Sequence, residues 1–193
     1  MQSNVVKLPV APEEEIAQRY ASGAVDEALT ILMETYGEEV YRHCHQVLGD
    51  ATLAADVHQT VFVHAYRDMQ HFSGRSSYRT WLFAIARHRC LDAIKMRKRR
   101  RLRFILGDSR AHQQAIDPRM GARETLEEVA QSEKMTRALQ TLKPDVRIAV
   151  LLRYREEMSF EQMSEICGER PATLQARVAR ALPKLRRALE AKV

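Results

Sequence analysis

Residues 159–180 read SFEQMSEICGERPATLQARVAR, and their reading decides the class of the whole chain. Ser159, followed three residues later by Gln162, is a capping-box pair: the serine bonds forward and the glutamine reaches back. The short helix FEQMSEIC then meets Gly168, and Pro171 opens a further helix, since proline fits a first turn. Met163 and Ile166 on the first helix, with Leu174 and Val178 on the second, are spaced to share a core. Two helices joined in this way make a helix-turn-helix.

That arrangement leaves Thr173, Gln175, Ala176, Arg177 and Arg180 pointing outward. Gln and Arg bond bidentately to base edges in the major groove, while Thr suits a phosphate. Lys184, Arg186 and Arg187 add attraction for the backbone. An ordinary helical hairpin with a solvated basic face shares the pattern, as does a stand-alone helix-turn-helix repressor. Pro183 lies inside the second helix, where it removes a backbone bond, so a kink is expected after the reading half.

Upstream the chain is of one kind. Ala, Leu, Arg, Glu and Met dominate, glycine and proline are few, and no segment reads as a strand, so the fold class is all-α. At 193 residues and 45% hydrophobic, the chain can bury a core, in one domain or two small ones. Residues 1–12 read as a disordered tail, and helices follow from Glu13, including one from about Glu38 and a long amphipathic one from Thr52 to Met69. Gly49-Asp50 stops one helix and caps the next. Residues 105–121, with two glycines and a proline, read as a flexible linker between a domain at 13–104 and a second at 122–193. Fully extended, those 17 residues reach about 55–60 Å.

Charge is segregated. Residues 87–103 carry a net +8 and residues 170–193 a net +6, so the remainder of this +6 chain sums to −8. Two basic blocks on an acidic body predict two polyanion contacts. The first block follows FSGRSSYRTWLFAIARHR (72–89), which holds the only tryptophan. Aromatics stack on exposed bases and cations hold the strand, so Phe72, Tyr78 and Trp81 beside Lys95–Arg103 fit single-stranded nucleic acid. By pattern alone Trp81 fits a core equally well. The polar side of the long helix, with Asp56, Gln59 and Asp68, reads as a solvated face.

Three distant cysteines without a CxxC predict a reducing compartment and no disulfide framework. No stretch approaches the roughly 18 apolar residues of a membrane span, and the N-terminus lacks signal-peptide character, so a cytoplasmic protein is expected. The histidines lack partners at ligand spacing, and no nucleophile triad or phosphate loop is present. No metal, no cofactor and no enzymatic activity are expected.

Four motifs, ADVHQTVF (55–62), FSGRSSYRTWLFAIARHRCLDAIKMRKRRR (72–101), LKPDVRIAVLLRY (142–154) and SFEQMSEICGERPATLQARVARALPKLR (159–186), together resemble a bacterial extracytoplasmic-function (ECF) sigma factor. The resemblance covers about residues 25–103 and 125–190. It implies a transcription initiation factor that directs core RNA polymerase to promoter DNA. Asp56, Gln59 and Phe62 would dock on polymerase. The loop Phe72, Ser73, Gly74, Arg75 and Ser76, with Trp81, Arg87, His88, Lys95, Arg99 and Arg100, would hold the strand-separated −10 element. Thr173, Gln175, Ala176, Arg177, Arg180 and Lys184 would read the −35 duplex. An anti-sigma partner is also implied. The sequence departs from the family pattern at Ala55 (usually acidic), His88 (commonly Asn), and Gln175-Ala176 (often a basic residue and Ser).

Overall fold

Local signals set most of the helix boundaries. The computed structural model describes residues 11–105 and 126–190, and among these all regular structure is helical. Helix α1 (Pro12–Ala21) starts on its proline with three acids in the first turn, where the positive end of the helix dipole favours them. Gly23, at φ +82°, turns the chain into α2 (Val25–Leu48). The expected second start near Glu38 is corrected here: α2 is one helix that runs through Gly37. A glycine inside a helix costs only about 1 kcal/mol, which the buried stripe from Ala28 to Leu48 outweighs. His58 packs over that point, its Nε2 3.0 Å from the Gly37 carbonyl.

Gly49, at φ +66°, ends α2, and the Asp50 carboxylate accepts from Leu53 N–H at 2.9 Å to start α3 (Ala51–Asp68). A 3₁₀ turn, Met69–His71, leads to the loop before α4 (Tyr78–Ile105). Two side chains fix the start of α4. Ser77 Oγ accepts from Thr80 N–H at 3.0 Å, and the Glu13 carboxylate accepts from Tyr78 and Arg79 N–H at 2.9 and 3.2 Å. Glu13 also accepts from the Tyr36 hydroxyl at 2.7 Å; burial and that carboxylate push the Tyr36 pKa well up.

The second half comprises α5 (Leu126–Gln140), α6 (Pro144–Tyr154), α7 (Phe160–Cys167) and α8 (Pro171–Glu190). Both arms of the Ser159–Gln162 capping box are made, and Gly168, at φ +67°, ends α7. Helix α8 continues past Pro183 to Glu190; the bond that proline cannot donate to the Ala179 carbonyl falls at an exposed position, where its loss leaves no buried acceptor. Glu157 adopts φ +53° without being glycine, a left-handed conformation that costs an L-residue about 1–2 kcal/mol. Glu157→Gly is therefore expected to raise stability by about 1 kcal/mol in urea titrations, after glycine's greater unfolded-state freedom is subtracted.

Helices α2, α3 and α4 pack together with α1 across one end, while α6, α7 and α8 form the second cluster. The two clusters meet: α7 lies on α4, and α5 and α6 lie on α2, so one continuous apolar core runs from Leu32 and Phe83 to Ile148 and Met163. Cys44 and Cys90, which sequence distance kept apart, are buried side by side with sulfurs 3.6 Å apart. Their hydrogen bond and burial push the Cys44 thiol well up, and the two cysteines are not joined by a disulfide. At the C-terminus of α2, Gln140 Nε2 donates to the Gln46 and Val47 carbonyls (3.1 and 3.3 Å) and Arg97 to that of Leu48 (3.3 Å). Buried Arg147 donates to the Val47, Leu139 and Leu142 carbonyls. Most of the expected linker, and most of the expected N-terminal tail, lie outside the described residues.

Candidate nucleic-acid and polymerase interfaces

The loop before α4 is hung on an aromatic cluster. Phe72 stacks on Tyr78 with centroids 4.3 Å apart and tilts against Trp81 at 5.2 Å, and Tyr78 meets Trp81 edge-on at 6.5 Å. Tyr78 is buried, whereas Phe72 and Trp81 are half-buried, so the tryptophan is both a packing element and partly open to solvent. Above the cluster Ser73, Gly74 and Arg75 are exposed and Ser76 is half-buried, with Arg75 Nε donating to Ser73 Oγ at 3.0 Å. Gly74 has φ +67°, and a Cβ there would meet nothing within 4 Å, so its role is to turn the loop.

Along α4 the expected contacts divide. Lys95, Arg99 and Arg100 are exposed, as is every residue from Lys95 to Phe104. The basic tail is thus a helix surrounded by positive charge. His88 is exposed, and its Nδ1 sits 2.8 Å from the Ala84 carbonyl of its own helix. Arg87 is different: its side chain is only 14% exposed, and it donates to Asp145 of α6 at 3.3 Å. Replacing Arg99, Arg100 and Arg101 together by Ala is expected to reduce the log–log salt slope of binding to single-stranded DNA by about 2, from about 0.7 per phosphate contact. An unchanged slope would show that these arginines do not touch the strand.

On α8, Thr173, Gln175, Ala176, Arg180 and Lys184 are exposed. Met163, Ile166, Leu174 and Val178 form the buried seam between α7 and α8. Arg180 Nε donates to the Ala176 carbonyl at 3.0 Å. Arg177 is held against the turn instead, in a two-pronged pair with the Glu169 carboxylate. That pair raises the Arg177 pKa.

On α3, Asp56 and Gln59 are exposed and Phe62 is 4% exposed. Phe62 is the floor of a cleft of about 640 Å³ between α2 and α3, rimmed by Met33, Gln59, Val63 and Tyr66. Met33, Val63 and Tyr66 are 43–47% exposed, an apolar patch beside a polar helix face. The spacing of Ala28, Leu29, Leu32 and Met33 predicts that Met33 is buried with the other three; the structure corrects this, since Met33 lies at the edge of that stripe and opens onto the cleft. Val63 and Tyr66 were not singled out by the sequence, where they stand as apolar residues off the main stripe of α3. Burial lowers the His58 pKa at the cleft wall. The described residues contain no group of three or more His, Cys, Asp or Glu placed to hold a metal.

Residues 32–100 match the family model of Sigma-70 region 2 and residues 132–185 that of Sigma-70 region 4. The probable RNA polymerase sigma-C factor of Mycobacterium bovis is 36% identical over 156 residues, which is 80% of this chain and 79% of that protein. The match to the ECF RNA polymerase sigma factor SigG of Mycobacterium tuberculosis is 39% identical over 74 residues; it spans 38% of this chain and only 20% of that protein's length. Among solved structures, the sigma factor RpoE in complex with the anti-sigma factor NepR from Bartonella quintana has a similar fold. Its TM-score is 0.63 at 24% identity, over 83% of this chain and 96% of that one. CnrH in complex with the cytosolic domain of CnrY matches with a TM-score of 0.68 at 22% identity, over 95% and 100%.

Proposed function

The chain belongs to the ECF RNA polymerase sigma factors, and from that premise we propose that it binds core RNA polymerase and directs it to promoters. Asp56, Gln59 and the apolar cleft over Phe62 form the polymerase contact. The loop Phe72–Ser76 with Trp81 captures a base unstacked from the −10 element, and the basic tail of α4 holds the parted strand. Unstacking costs a few kcal/mol, which contacts to polymerase and backbone offset. The helix-turn-helix reads the −35 element as duplex, through Gln175, Arg177 and Arg180 on bases and Thr173 and Lys184 on the backbone. The domain limits 13–104 and 122–193, with 105–121 as the tether between them, belong to the same reading.

The observation that carries this reading is the coexistence, in one chain, of an aromatic loop followed by a helix whose cationic tail is fully exposed and a capped helix-turn-helix with a cationic face. A repressor that needs only duplex DNA leaves the loop and the α2–α3 cleft without a task. No helix among the described residues is long and apolar enough to cross a membrane, and a cytoplasmic site of action is part of the proposal. Two similar folds are solved with an anti-sigma factor or a cytosolic partner domain, and control by such a protein is proposed here too. Run-off transcription with core polymerase on a promoter library tests the function: promoter-dependent initiation is expected, and its absence rejects the reading.

A further inference from the structure

The first turn of α4 holds the N–H groups of Tyr78, Arg79 and Thr80, which no carbonyl of the helix itself can reach. Ser77, next to them in sequence, accepts from Thr80 at 3.0 Å. The other two donate to Glu13, 65 and 66 residues upstream: Tyr78 to Oε2 at 2.9 Å and Arg79 to Oε1 at 3.2 Å. Tyr36 of α2 donates its hydroxyl to the same Oε1 at 2.7 Å. Donors from two helices therefore converge on one half-buried carboxylate. Its neighbours in the turn face elsewhere: Glu14 is exposed, and Glu15 pairs with Arg19 at 3.8 Å. Ile16, fully buried, fixes α1 to the core and Glu13 with it.

What this carboxylate grips is the root of the loop 72–76. Phe72 stacks on the Tyr78 ring, and Trp81, one turn further along α4, meets both rings. The Arg79 side chain is tied in turn to Glu39 of α2. Adjacent residues are thus held through backbone from α1 and through side chain from α2. Bonds from N–H to a carboxylate are about twice as strong as those to a neutral acceptor, and the charge faces the positive end of the α4 dipole. Burial and the nearby Glu13 charge push the Tyr36 and Tyr78 phenols up, so Tyr36 remains a donor. Since Ser73, Gly74 and Arg75 are exposed, the loop takes its position from this root.

We propose that Glu13 is a positioning residue for −10 recognition, acting through the backbone of Tyr78 and Arg79 to hold Phe72 and Trp81 where they receive an unstacked base. Glu13 lies outside the residues 32–100 that match the Sigma-70 region 2 family model, so the −10 module of this chain extends back to α1. The part in recognition rests on the function proposed above; the fixing of the aromatic platform does not. A platform that is correctly placed only part of the time binds more weakly by that fraction.

Trp81 is the only tryptophan, so its fluorescence reports the platform in the full chain without DNA. Glu13→Ala is expected to shift Trp81 emission to the red and to increase its quenching by acrylamide, with far-UV helicity retained. Glu13→Gln keeps the length and one accepting oxygen, and should rescue part of the change. Single-stranded DNA carrying the −10 sequence of a promoter initiated in run-off transcription should bind Glu13→Ala about tenfold more weakly. The largest affinity loss found on scanning that strand with abasic sites should shrink, while −35 duplex binding is unchanged. A merely destabilising substitution leaves that abasic loss at its wild-type value in the folded molecules. Unchanged Trp81 quenching in a helical variant overturns the proposal, and so does altered quenching with unchanged affinity and abasic loss. If no promoter initiates, the functional reading fails, and the Trp81 measurement decides whether Glu13 sets the platform. Should Glu13→Ala lose helicity, Glu13→Gln is judged against the same outcomes.

Discussion

Arg147→Met is expected to lower the unfolding free energy by about 3–5 kcal/mol, the largest stability effect of any single substitution considered for this chain. Arg147 is 4% exposed, and its guanidinium faces carbonyls, not carboxylates: Leu139 at 2.9 Å, Leu142 at 3.0 Å, Gln140 at 3.3 Å, and Val47. It joins the carbonyl ends of two helices, α2 and α5, where a positive charge opposes the negative pole of each dipole. Burial, with Arg97 nearby, holds its pKa down at about 10, so it is charged at neutral pH against a standing desolvation penalty that the carbonyls offset. Methionine fills the space but leaves these oxygens buried without donors, each at about 1–3 kcal/mol. Lysine keeps the charge without the planar fork and should recover only part of the loss. Urea midpoints measure this, with Arg137→Ala as a control: that arginine makes an exposed pair with Glu133, worth under about 1 kcal/mol. A difference below about 1 kcal/mol between Arg147→Met and wild type would show that water replaces the arginine.

Arg147 also marks what the sequence displays and what it withholds. Features decided within one or two helical turns were legible: the Ser159–Gln162 box, the Asp50 cap, the stops at Gly49 and Gly168, and the seam of Met163, Ile166, Leu174 and Val178. The all-α class follows from them. Misreading came where a local cue was overruled from afar, as at Gly37, where a continuous buried stripe carried α2 through a residue that usually punctuates. Contacts between distant segments left no trace in spacing. Nothing in LKPDVRIAVLLRY tells that Arg147 reaches α2, a hundred residues away. In the same way nothing in YREEM distinguishes buried Glu156 from exposed Glu157, and 46 residues separate the adjacent thiols of Cys44 and Cys90. For the candidate site the residue types were readable, because exposed cations and aromatics announce themselves. Their present engagements, Arg87 with Asp145 and Arg177 with Glu169, were not.

The Arg177 engagement changes how −35 recognition has to be tested. Arg177→Ala is expected to weaken binding to a cognate −35 duplex by about 1–3 kcal/mol, or roughly 5- to 150-fold, with little loss on unrelated duplex. In the free chain the guanidinium grips Glu169, with one prong at 2.7 Å and side chains 21% and 29% exposed. A partly exposed pair of this kind is worth at most about 1 kcal/mol. A bidentate bond to guanine contributes about 1–3 kcal/mol of discrimination, so if Arg177 reads a base as proposed, it is expected to leave Glu169 on binding. Glu169→Gln should therefore tighten cognate binding several-fold, since it weakens the grip and removes a negative charge close to the phosphates. The opposite expectation follows if the pair is a strap that sets the angle of α8: then Glu169→Gln loses as much as Arg177→Ala, and the double substitution adds nothing further. A third pattern, equal loss for Arg177→Ala on every sequence, would make Arg177 a phosphate contact and leave base reading to Gln175 and Arg180. Fluorescence anisotropy on cognate and scrambled duplexes at one salt concentration separates the three.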